Sequence, residues 1–179
     1  MKLSKYQWGV IVAGLFTPAL YFFLKTRLNM DKSSKEYINL RAFLIMIQYS
    51  EGTFGNDGYK KLYGGSLFDD FSKHPNNRIT KWGITSTAAG AYQILNKTWV
   101  EIQAKLKLPD FGPLSQDQAA IELIRRRKAL EDVTAGRFAQ AIEKCKKEWA
   151  SLPGAGYGQN EKNAKSLLAV YKMAGGNAA

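Results

Sequence analysis

Cysteine and histidine are almost absent from this chain. Cys145 and His74 are the only examples among 179 residues, which excludes an intramolecular disulfide and leaves too few ligands for a Cys/His zinc site. Cys145 falls on the helical spacing of residues 138–149 and is predicted to be a buried core thiol. His74 precedes a proline in a loop, with no serine or cysteine motif to serve, so we expect only local hydrogen bonds from it. We expect no metal and no cofactor.

Acidic residues are also scarce. Asp and Glu number 15 against 26 Lys and Arg, which gives a formal net charge of +11 and a pI near 9.7. Such a charge favours anionic partners, whether nucleic acid, an acidic membrane surface or cell-envelope polymers. The basic residues are dispersed, and no helix-turn-helix, zinc-finger or aromatic RNA-binding motif is present. We therefore expect no nucleic-acid partner, and a basic nucleic-acid or anionic-membrane binder is an alternative that rests on charge alone.

Charge of either sign is missing from residues 6–24, and basic residues flank this run on both sides. Its length is close to the roughly 20 residues that cross a bilayer as a helix. The run is followed by Lys-Thr-Arg instead of a small-residue cleavage site, which favours an uncleaved signal-anchor over a signal peptide. We predict one N-terminal transmembrane helix here. More Lys and Arg follow the run than precede it, so the positive-inside rule by itself would keep the body of the protein in the cytoplasm.

The chain length suits one domain with a short appendage. We expect residues 1–35 to form the signal-anchor and a polar linker, and residues 36–179 to form a single folded domain.

An acid continues an apolar stripe in the segment LRAFLIMIQYSEGTFG, residues 40–55. The stripe has the i, i+3, i+4, i+7 spacing of one helix face and consists of Leu40, Phe43, Leu44 and Ile47. Glu51 follows four residues later and would project from the same face. Burial and the negative end of the helix dipole would both raise the pKa of this carboxyl. Gly52 can close the helix, which would place the acid at a mouth. Alternatively, the helix ends one turn earlier and Glu51 is solvated.

The order of predicted elements indicates the fold class. Residues 52–77 are rich in Gly, Asn, Asp and aromatics and predict a small hairpin or irregular β region around Gly64 and Gly65. Later segments are helical, with start signals at Asn96 and at the capping-box pattern of Ser115 and Gln118, and with helical runs at 138–149 and 167–171. The pattern predicts an α+β fold that is mainly helical, with a small β region after the first helix of the domain.

Two glycine-containing loops each combine a tyrosine with a glutamine. They are STAAGAYQIL, residues 86–95, and SLPGAGYGQ, residues 151–159. Glycines let a backbone approach a ligand closely, while Tyr92 and Tyr157 could stack on sugar rings and Gln93 and Gln159 could bond hydroxyls or amides. Either loop alone reads as an ordinary turn with a packing tyrosine. Both together, beside a desolvated acid, predict a ligand cleft.

Five segments resemble the endolysins of bacteriophage lambda and its relatives, a lysozyme-like group of lytic transglycosylases. They are AFLIMIQYSEGT, GGSLFDDFSKHP, STAAGAYQIL, LPDFGPLSQDQAA and WASLPGAGYGQ, and the resemblance spans roughly residues 40–176. It implies a lysozyme-like fold with Glu51 as the catalytic glutamate, since the family's glutamate follows a Ser and precedes Gly-Thr. The implied sugar-binding residues are Ala89, Gly90, Tyr92, Gln93, Gly156, Tyr157 and Gln159. Ala91 and Lys60 replace a basic and an acidic residue of the family, so contacts at these two positions do not carry over.

The resemblance also implies an activity. Such an enzyme cleaves the β-1,4 bond between N-acetylmuramic acid and N-acetylglucosamine of peptidoglycan without water, leaving 1,6-anhydro-muramic ends and lysing the host cell. One carboxylic acid serves as acid and then as base, which requires a pKa near the working pH. The implied partner is the peptidoglycan glycan strand. We expect a monomer of phage or prophage origin, anchored in the inner membrane with its catalytic domain facing the periplasm or released there.

Two alternatives keep the same fold. A hydrolytic lysozyme would need a second carboxylate as nucleophile or to activate water, and Asp57, Asp69 and Asp70 in the β region are the candidates. A non-catalytic, membrane-tethered protein could instead bind peptidoglycan without cleaving it.

Overall fold

The computed structural model describes residues 30–157 and 161–179. The predicted span at 6–24 lies outside these residues, and within them no helix is long and apolar enough to cross a bilayer. The elements in chain order are helix α1 (Lys35–Ser50), a short 3-10 helix (Gly58–Lys60), strands β1 (Ile79–Lys81) and β2 (Ile84–Ser86), and helices α2 (Asn96–Leu106), α3 (Pro113–Arg126), α4 (Leu130–Thr134), α5 (Phe138–Cys145) and α6 (Ala164–Met173).

Helix α1 runs through the centre of the core. It begins after Ser34, whose Oγ accepts a hydrogen bond from the backbone N of Tyr37 at 3.1 Å, and it packs against α4 and α6. Every residue from Ala42 to Ile47 is buried. The sequence predicted one apolar stripe, whereas the structure encloses this part of the helix on all sides.

The end of α1 places Glu51 at the helix C-cap. The backbone N of Glu51 still donates to the Ile47 carbonyl at 2.9 Å, so the predicted persistence of the helix to this acid is confirmed. Gly52 then adopts a φ of +69°. The backbone N of Thr53 donates to the Gln48 carbonyl at 2.9 Å, and its hydroxyl, with one proton to donate, lies 2.5 Å from the Ala91 carbonyl and 3.1 Å from the Gln48 carbonyl, so Thr53 fixes the turn.

The sheet consists of β1 and β2 in antiparallel pairing, with Thr80 opposite Thr85. It lies just after the region for which the sequence predicted a hairpin. Around Gly64 and Gly65, both at positive φ, the described chain forms the isolated bridges Lys61–Leu67 and Leu62–Ala89 and no regular strand. Of the two structures predicted for residues 52–77, a small hairpin or an irregular β region, the second is the one observed.

Helix α3 begins two residues earlier than its predicted cap. Pro113 occupies its first turn, a position that suits proline because no helical N–H is lost there. Ser115 consequently lies inside the helix, and its hydroxyl donates to Asp110 Oδ1 at 2.8 Å instead of capping.

The loop at 89–94 is fastened to α3 through Gln116. Gln116 Oε1 accepts from the backbone N of Ala91 at 2.8 Å, and its Nε2 donates to the carbonyl of Tyr59 at 3.0 Å. Gly90 passes directly over this amide with a φ of +78°, and an added Cβ would lie 2.1 Å from Gln116 Oε1. The close approach therefore requires glycine for both conformation and space.

We expect Gly90→Ala to lower the free energy of unfolding by about 2–5 kcal/mol, combining left-handed strain of about 1–2 kcal/mol with overpacking of about 1–3 kcal/mol. Gly52→Ala is the matched control, because Gly52 has a similar φ of +69° but open space within 4 Å of the added carbon. The control should show only the strain. Urea unfolding of both variants measures the difference, and equal losses would contradict the steric account.

Candidate functional site

A cleft of about 600 Å³ opens where α1 ends. Its lining comes from the end of α1, the loop before the sheet, the hairpin and two later loops, and comprises residues 50–53, residues 61–65, Trp82, Ile84, Gln93 and Ser151. Glu51 is the single carboxylic acid among these lining residues. The cleft therefore combines one acid with hydroxyl, amide, ammonium and aromatic groups.

Burial raises the pKa of Glu51 to about 7, against the hydrogen bond from Ser151 and the positive charge of Lys162, both of which act to lower this pKa. The direction agrees with the sequence prediction of a desolvated acid. A carboxyl with this pKa exists in both protonation states near neutral pH and can give and take a proton.

Two serine hydroxyls surround the acid on its protein side. Ser151 Oγ lies 2.5 Å from Glu51 Oε1 and 2.9 Å from Ser50 Oγ, and Ser50 Oγ itself donates to the Ile47 carbonyl at 2.9 Å. Because a hydroxyl has one proton, Ser151 donates to Glu51 or to Ser50, but not to both. Donation to Glu51 stabilises the carboxylate, and donation to Ser50 leaves the protonated acid undisturbed.

We expect Ser151→Ala to raise the pKa of Glu51 by about one unit, because it removes the hydrogen bond that favours the charged form. Ser50→Ala is the matched control, since it deletes the competing acceptor and keeps the Ser151 proton on Glu51. That control should leave the pKa unchanged or lower it. NMR titration of the labelled Glu51 carboxyl reads both, and a rise in the control equal to that in Ser151→Ala would contradict the arrangement.

The first predicted sugar-binding loop is mostly behind the cleft wall. Gln93 lines the cleft, and its Nε2 donates to the carbonyls of Lys61 and Gly90. Ala89 and Gly90 are buried, as is Tyr92, whose hydroxyl donates to Asp117 Oδ1 at 2.6 Å. The expectation that Tyr92 stacks on a sugar is therefore corrected: burial gives its ring no face towards the cleft.

The second predicted loop lies beside the cleft. The backbone N atoms of Gly154 and Gly156 each donate at 2.7 Å to the Glu161 carboxylate, which holds the loop in place. Tyr157 is exposed, with its hydroxyl donating to the Lys147 carbonyl at 3.2 Å, and neither it nor Gly156 lines the cleft. Gln159 lies outside the described residues. In this loop it is Ser151 that reaches Glu51.

Sequence reasoning did not single out several residues of the cleft. Lys61 Nζ donates to the Gly52 carbonyl at 2.9 Å and so fixes the turn after Glu51. The contact between Ser50 and Ser151 had no signal in the sequence, because the two residues meet only through the tertiary fold. Trp82 had a partial signal: the glycine that follows it, between two β-branched segments, suits the second position of a two-residue hairpin turn, whereas the tryptophan itself does not suit the first.

A buried polar network supports the floor of the cleft from behind. The hydroxyls of Tyr59 and Tyr92 both donate to Asp117 Oδ1, at 2.8 and 2.6 Å, and Gln48 Nε2 donates to the Tyr92 hydroxyl at 3.0 Å. Burial raises the pKa of Asp117 to about 7, while the two tyrosine hydrogen bonds act in the opposite direction. The network ties α1 to α3 within a single cluster of hydrogen bonds.

We expect the free energy of unfolding of Asp117→Asn to rise progressively, relative to that of the wild type, as pH rises from about 4 to about 7. The pKa of Asp117 in the folded protein lies above its ordinary value of 3.8. The folded state therefore binds more protons, and the stabilisation present below pH 4 is lost as pH rises through 7. Urea unfolding across this range gives the difference. Asp69→Asn, at a side chain 93% exposed, is the control; a pH-independent difference for Asp117→Asn would contradict the prediction.

Comparison with known proteins assigns the fold and the family. The sequence matches the Endolysin family over residues 41–178. It is 46% identical to the endolysin of Escherichia phage lambda, covering 76% of this chain and 90% of that protein, and 46% identical to the endolysin of Escherichia phage P2, covering 77% and 93%. The structure of bacteriophage lambda lysozyme complexed with a chitohexasaccharide matches with a TM-score of 0.76 at 44% identity, over 79% of this chain and 97% of that one. A second structure, of lysozyme from bacteriophage lambda, matches with a TM-score of 0.73 at 43% identity, over the same shares of the two chains. With a lambda-lysozyme-like fold that is helical with a small two-stranded sheet, this chain belongs to the endolysin family.

Proposed function

We propose that this endolysin cleaves the β-1,4 bond between N-acetylmuramic acid and N-acetylglucosamine in peptidoglycan by lytic transglycosylation, with Glu51 as the catalytic residue. The observation that carries the proposal is the position of Glu51: a carboxyl with a pKa near 7, alone among acids in the described lining of the cleft. Family membership supports a phage endolysin that lyses peptidoglycan.

In the first step, protonated Glu51 gives its proton to the glycosidic oxygen as the bond from that oxygen to muramic C1 breaks. The raised pKa is what makes the proton available near neutral pH.

As the carboxylate forms, the Ser151 hydroxyl turns its proton towards Glu51 Oε1, 2.5 Å away, and stabilises the new charge.

In the second step, the Glu51 carboxylate takes the proton of the muramic 6-hydroxyl while that oxygen bonds to C1. The product is a 1,6-anhydro ring, Glu51 is again protonated, and no water is consumed. The Ser151 proton can then return to Ser50 Oγ, 2.9 Å away. One carboxyl therefore completes the cycle.

Hydrolysis is the alternative, and it needs a second carboxylate near the reacting carbon. The three aspartates considered for that role do not line the cleft. Asp69 is solvent-exposed and pairs with Lys60 at 3.2 Å, and Asp70 accepts hydrogen bonds from the backbone N and hydroxyl of Ser72. Their positions favour transglycosylation.

The glycan strand is the proposed ligand of the whole cleft. The similarity to a lysozyme complexed with a chitohexasaccharide supports a saccharide of several rings. Gln93, which lines the cleft, is proposed to contact it directly, and Gly156, Tyr157 and Gln159 are proposed contacts from the loop that begins at Ser151. Ala89, Gly90 and Tyr92 are proposed to act through the wall, by holding Gln93 in position.

The N-terminal segment is proposed to anchor the enzyme. The family match begins at Arg41 and α1 begins at Lys35, which supports the division into an anchor with linker, residues 1–35, and a catalytic domain, residues 36–179. On this proposal residues 6–24 hold a monomeric enzyme at the inner membrane with its catalytic domain in the periplasm.

We expect Glu51→Gln to remove at least about 99% of peptidoglycan cleavage without unfolding the protein, since the amide cannot transfer the proton that general acid catalysis requires. For wild type, the cleavage rate should fall as pH rises above about 7, where Glu51 loses its proton. Turbidity loss of purified peptidoglycan gives the rate, with Asp69→Asn as the control.

Mass spectrometry of the released fragments separates the two reactions. Transglycosylation gives anhydro ends that are lighter by one water than the reducing ends that hydrolysis leaves. Reducing ends alone would reject transglycosylation in favour of a lysozyme. Cleavage by Glu51→Gln at the wild-type rate would reject the role of this residue. Binding of peptidoglycan by the wild-type protein without any cleavage would leave only a glycan-binding protein.

A further inference from the structure

Trp82 is the most exposed large hydrophobic residue among those described, with 80% of its surface accessible. It lies at the turn between β1 and β2 and lines the same cleft as Glu51. Ile84, on the same hairpin, is also exposed and also lines the cleft. The hairpin therefore presents apolar surface to a cleft whose floor carries the acid, the serines and Lys61.

The backbone at Trp82 is unfavourable for a tryptophan. Lys81 pairs with Ile84, so Trp82 and Gly83 form a two-residue hairpin turn, and their φ angles are +51° and +76°. Asn, Asp or Gly are the residues that this left-handed pair prefers. Trp82 thus combines strain with exposure, and neither property favours folding.

Contacts with the neighbouring loop hold the indole in place. The rings of Tyr63 and Trp82 meet edge to face, with centroids 6.0 Å apart and planes at 85°. Lys81 Nζ donates to the Gly64 carbonyl at 2.6 Å, and the Tyr63 hydroxyl donates to the Lys81 carbonyl at 3.4 Å. The side chain is supported at the cleft and still keeps most of its surface for another molecule.

We infer that Trp82 is a stacking platform for a pyranose ring of the glycan strand, with Tyr63 as its support. This inference rests on the proposed function for the identity of the ligand. A β-1,4-linked N-acetylhexosamine carries its substituents around the rim of the ring, so both faces expose C–H groups that pack against a flat aromatic surface. The indole has no titratable group, so it contributes binding and not proton transfer.

A bilayer surface is the competing ligand for an exposed tryptophan next to a lysine. The glycan is favoured because Trp82 shares one cleft with Glu51 and because Tyr63, which supports the indole, lines that cleft as well. The test distinguishes the two.

The test uses the full-length protein carrying Glu51→Gln, so that cleavage does not consume the ligand. Isothermal titration with chitohexaose should give a Kd about tenfold weaker for Trp82→Ala than for the same protein with Trp82, as one lost aromatic anchor predicts. Val100→Ala, which removes another exposed apolar side chain on α2, is the control and should leave the Kd unchanged.

Trp82→Asn provides a second, opposite readout. Asparagine tolerates the left-handed turn, so this variant should have a higher Tm than the parent while it binds chitohexaose about as weakly as Trp82→Ala. A lower Tm together with weaker binding would assign Trp82 a structural role and overturn the platform.

The remaining outcomes also decide. Binding of chitohexaose by Trp82→Ala within twofold of the parent overturns the platform and leaves the proposed function intact. No binding of chitohexaose by the parent overturns the platform, while the proposed function is decided separately by peptidoglycan cleavage. Unchanged chitohexaose binding with lost retention on vesicles of phosphatidylethanolamine and phosphatidylglycerol would replace the glycan with a membrane.

Discussion

The desolvation of Glu51 is the constraint on which the rest of the site depends. A carboxyl at the end of an enclosed helix loses the water that favours its charged form, and its pKa moves to about 7. The core supplies this environment, because residues 42–47 of α1 are buried without interruption up to the last turn. Helix α1 therefore contributes both to the hydrophobic core and to the raised pKa of the catalytic carboxyl.

The floor of the cleft is held from both sides of this acid. On the protein side, the Gln48 carbonyl accepts hydrogen bonds from the turn, and the Gln48 amide donates to the Tyr92 hydroxyl, which in turn donates to Asp117. On the cleft side, Lys61 binds the Gly52 carbonyl. Because each contact comes from a different segment, the position of Glu51 is a property of the assembled domain and not of α1 alone.

Sequence reasoning identified the acid, the helix that carries it and the order of the later elements. Those features follow from local spacing: the stripe up to Ile47 continues to Glu51, and α2 begins at Asn96, although the predicted cap at Asn96 is wrong because Leu95 occupies the N-cap position. It identified the loop at 86–95, whose Gln93 lines the cleft, but did not predict that the ring of Tyr92 would be buried. A tyrosine in a glycine-containing loop has the same local pattern whether it faces a cleft or, like Tyr92, a buried aspartate.

The contacts that sequence reasoning missed are those between distant segments. Ser151 and Ser50 are about a hundred positions apart and meet only when the last loops fold against α1. Asp117 gave no sign that two tyrosines would converge on it. The β region was predicted as a hairpin or an irregular stretch. Around Gly64 the structure has the irregular form, and the regular antiparallel ladder lies later in the chain, where Thr80 pairs with Thr85.

The serine pair has a consequence for the speed of the proton cycle. Turning the hydroxyl hydrogen of Ser151 away from Ser50 Oγ and towards Glu51 Oε1 requires rotation about a single C–O bond and no displacement of a heavy atom. Such rotations are among the fastest motions of a protein, far faster than typical enzyme turnover. On the protein side, stabilising the new charge on Glu51 therefore requires the turn of one hydrogen and no movement of a heavy atom.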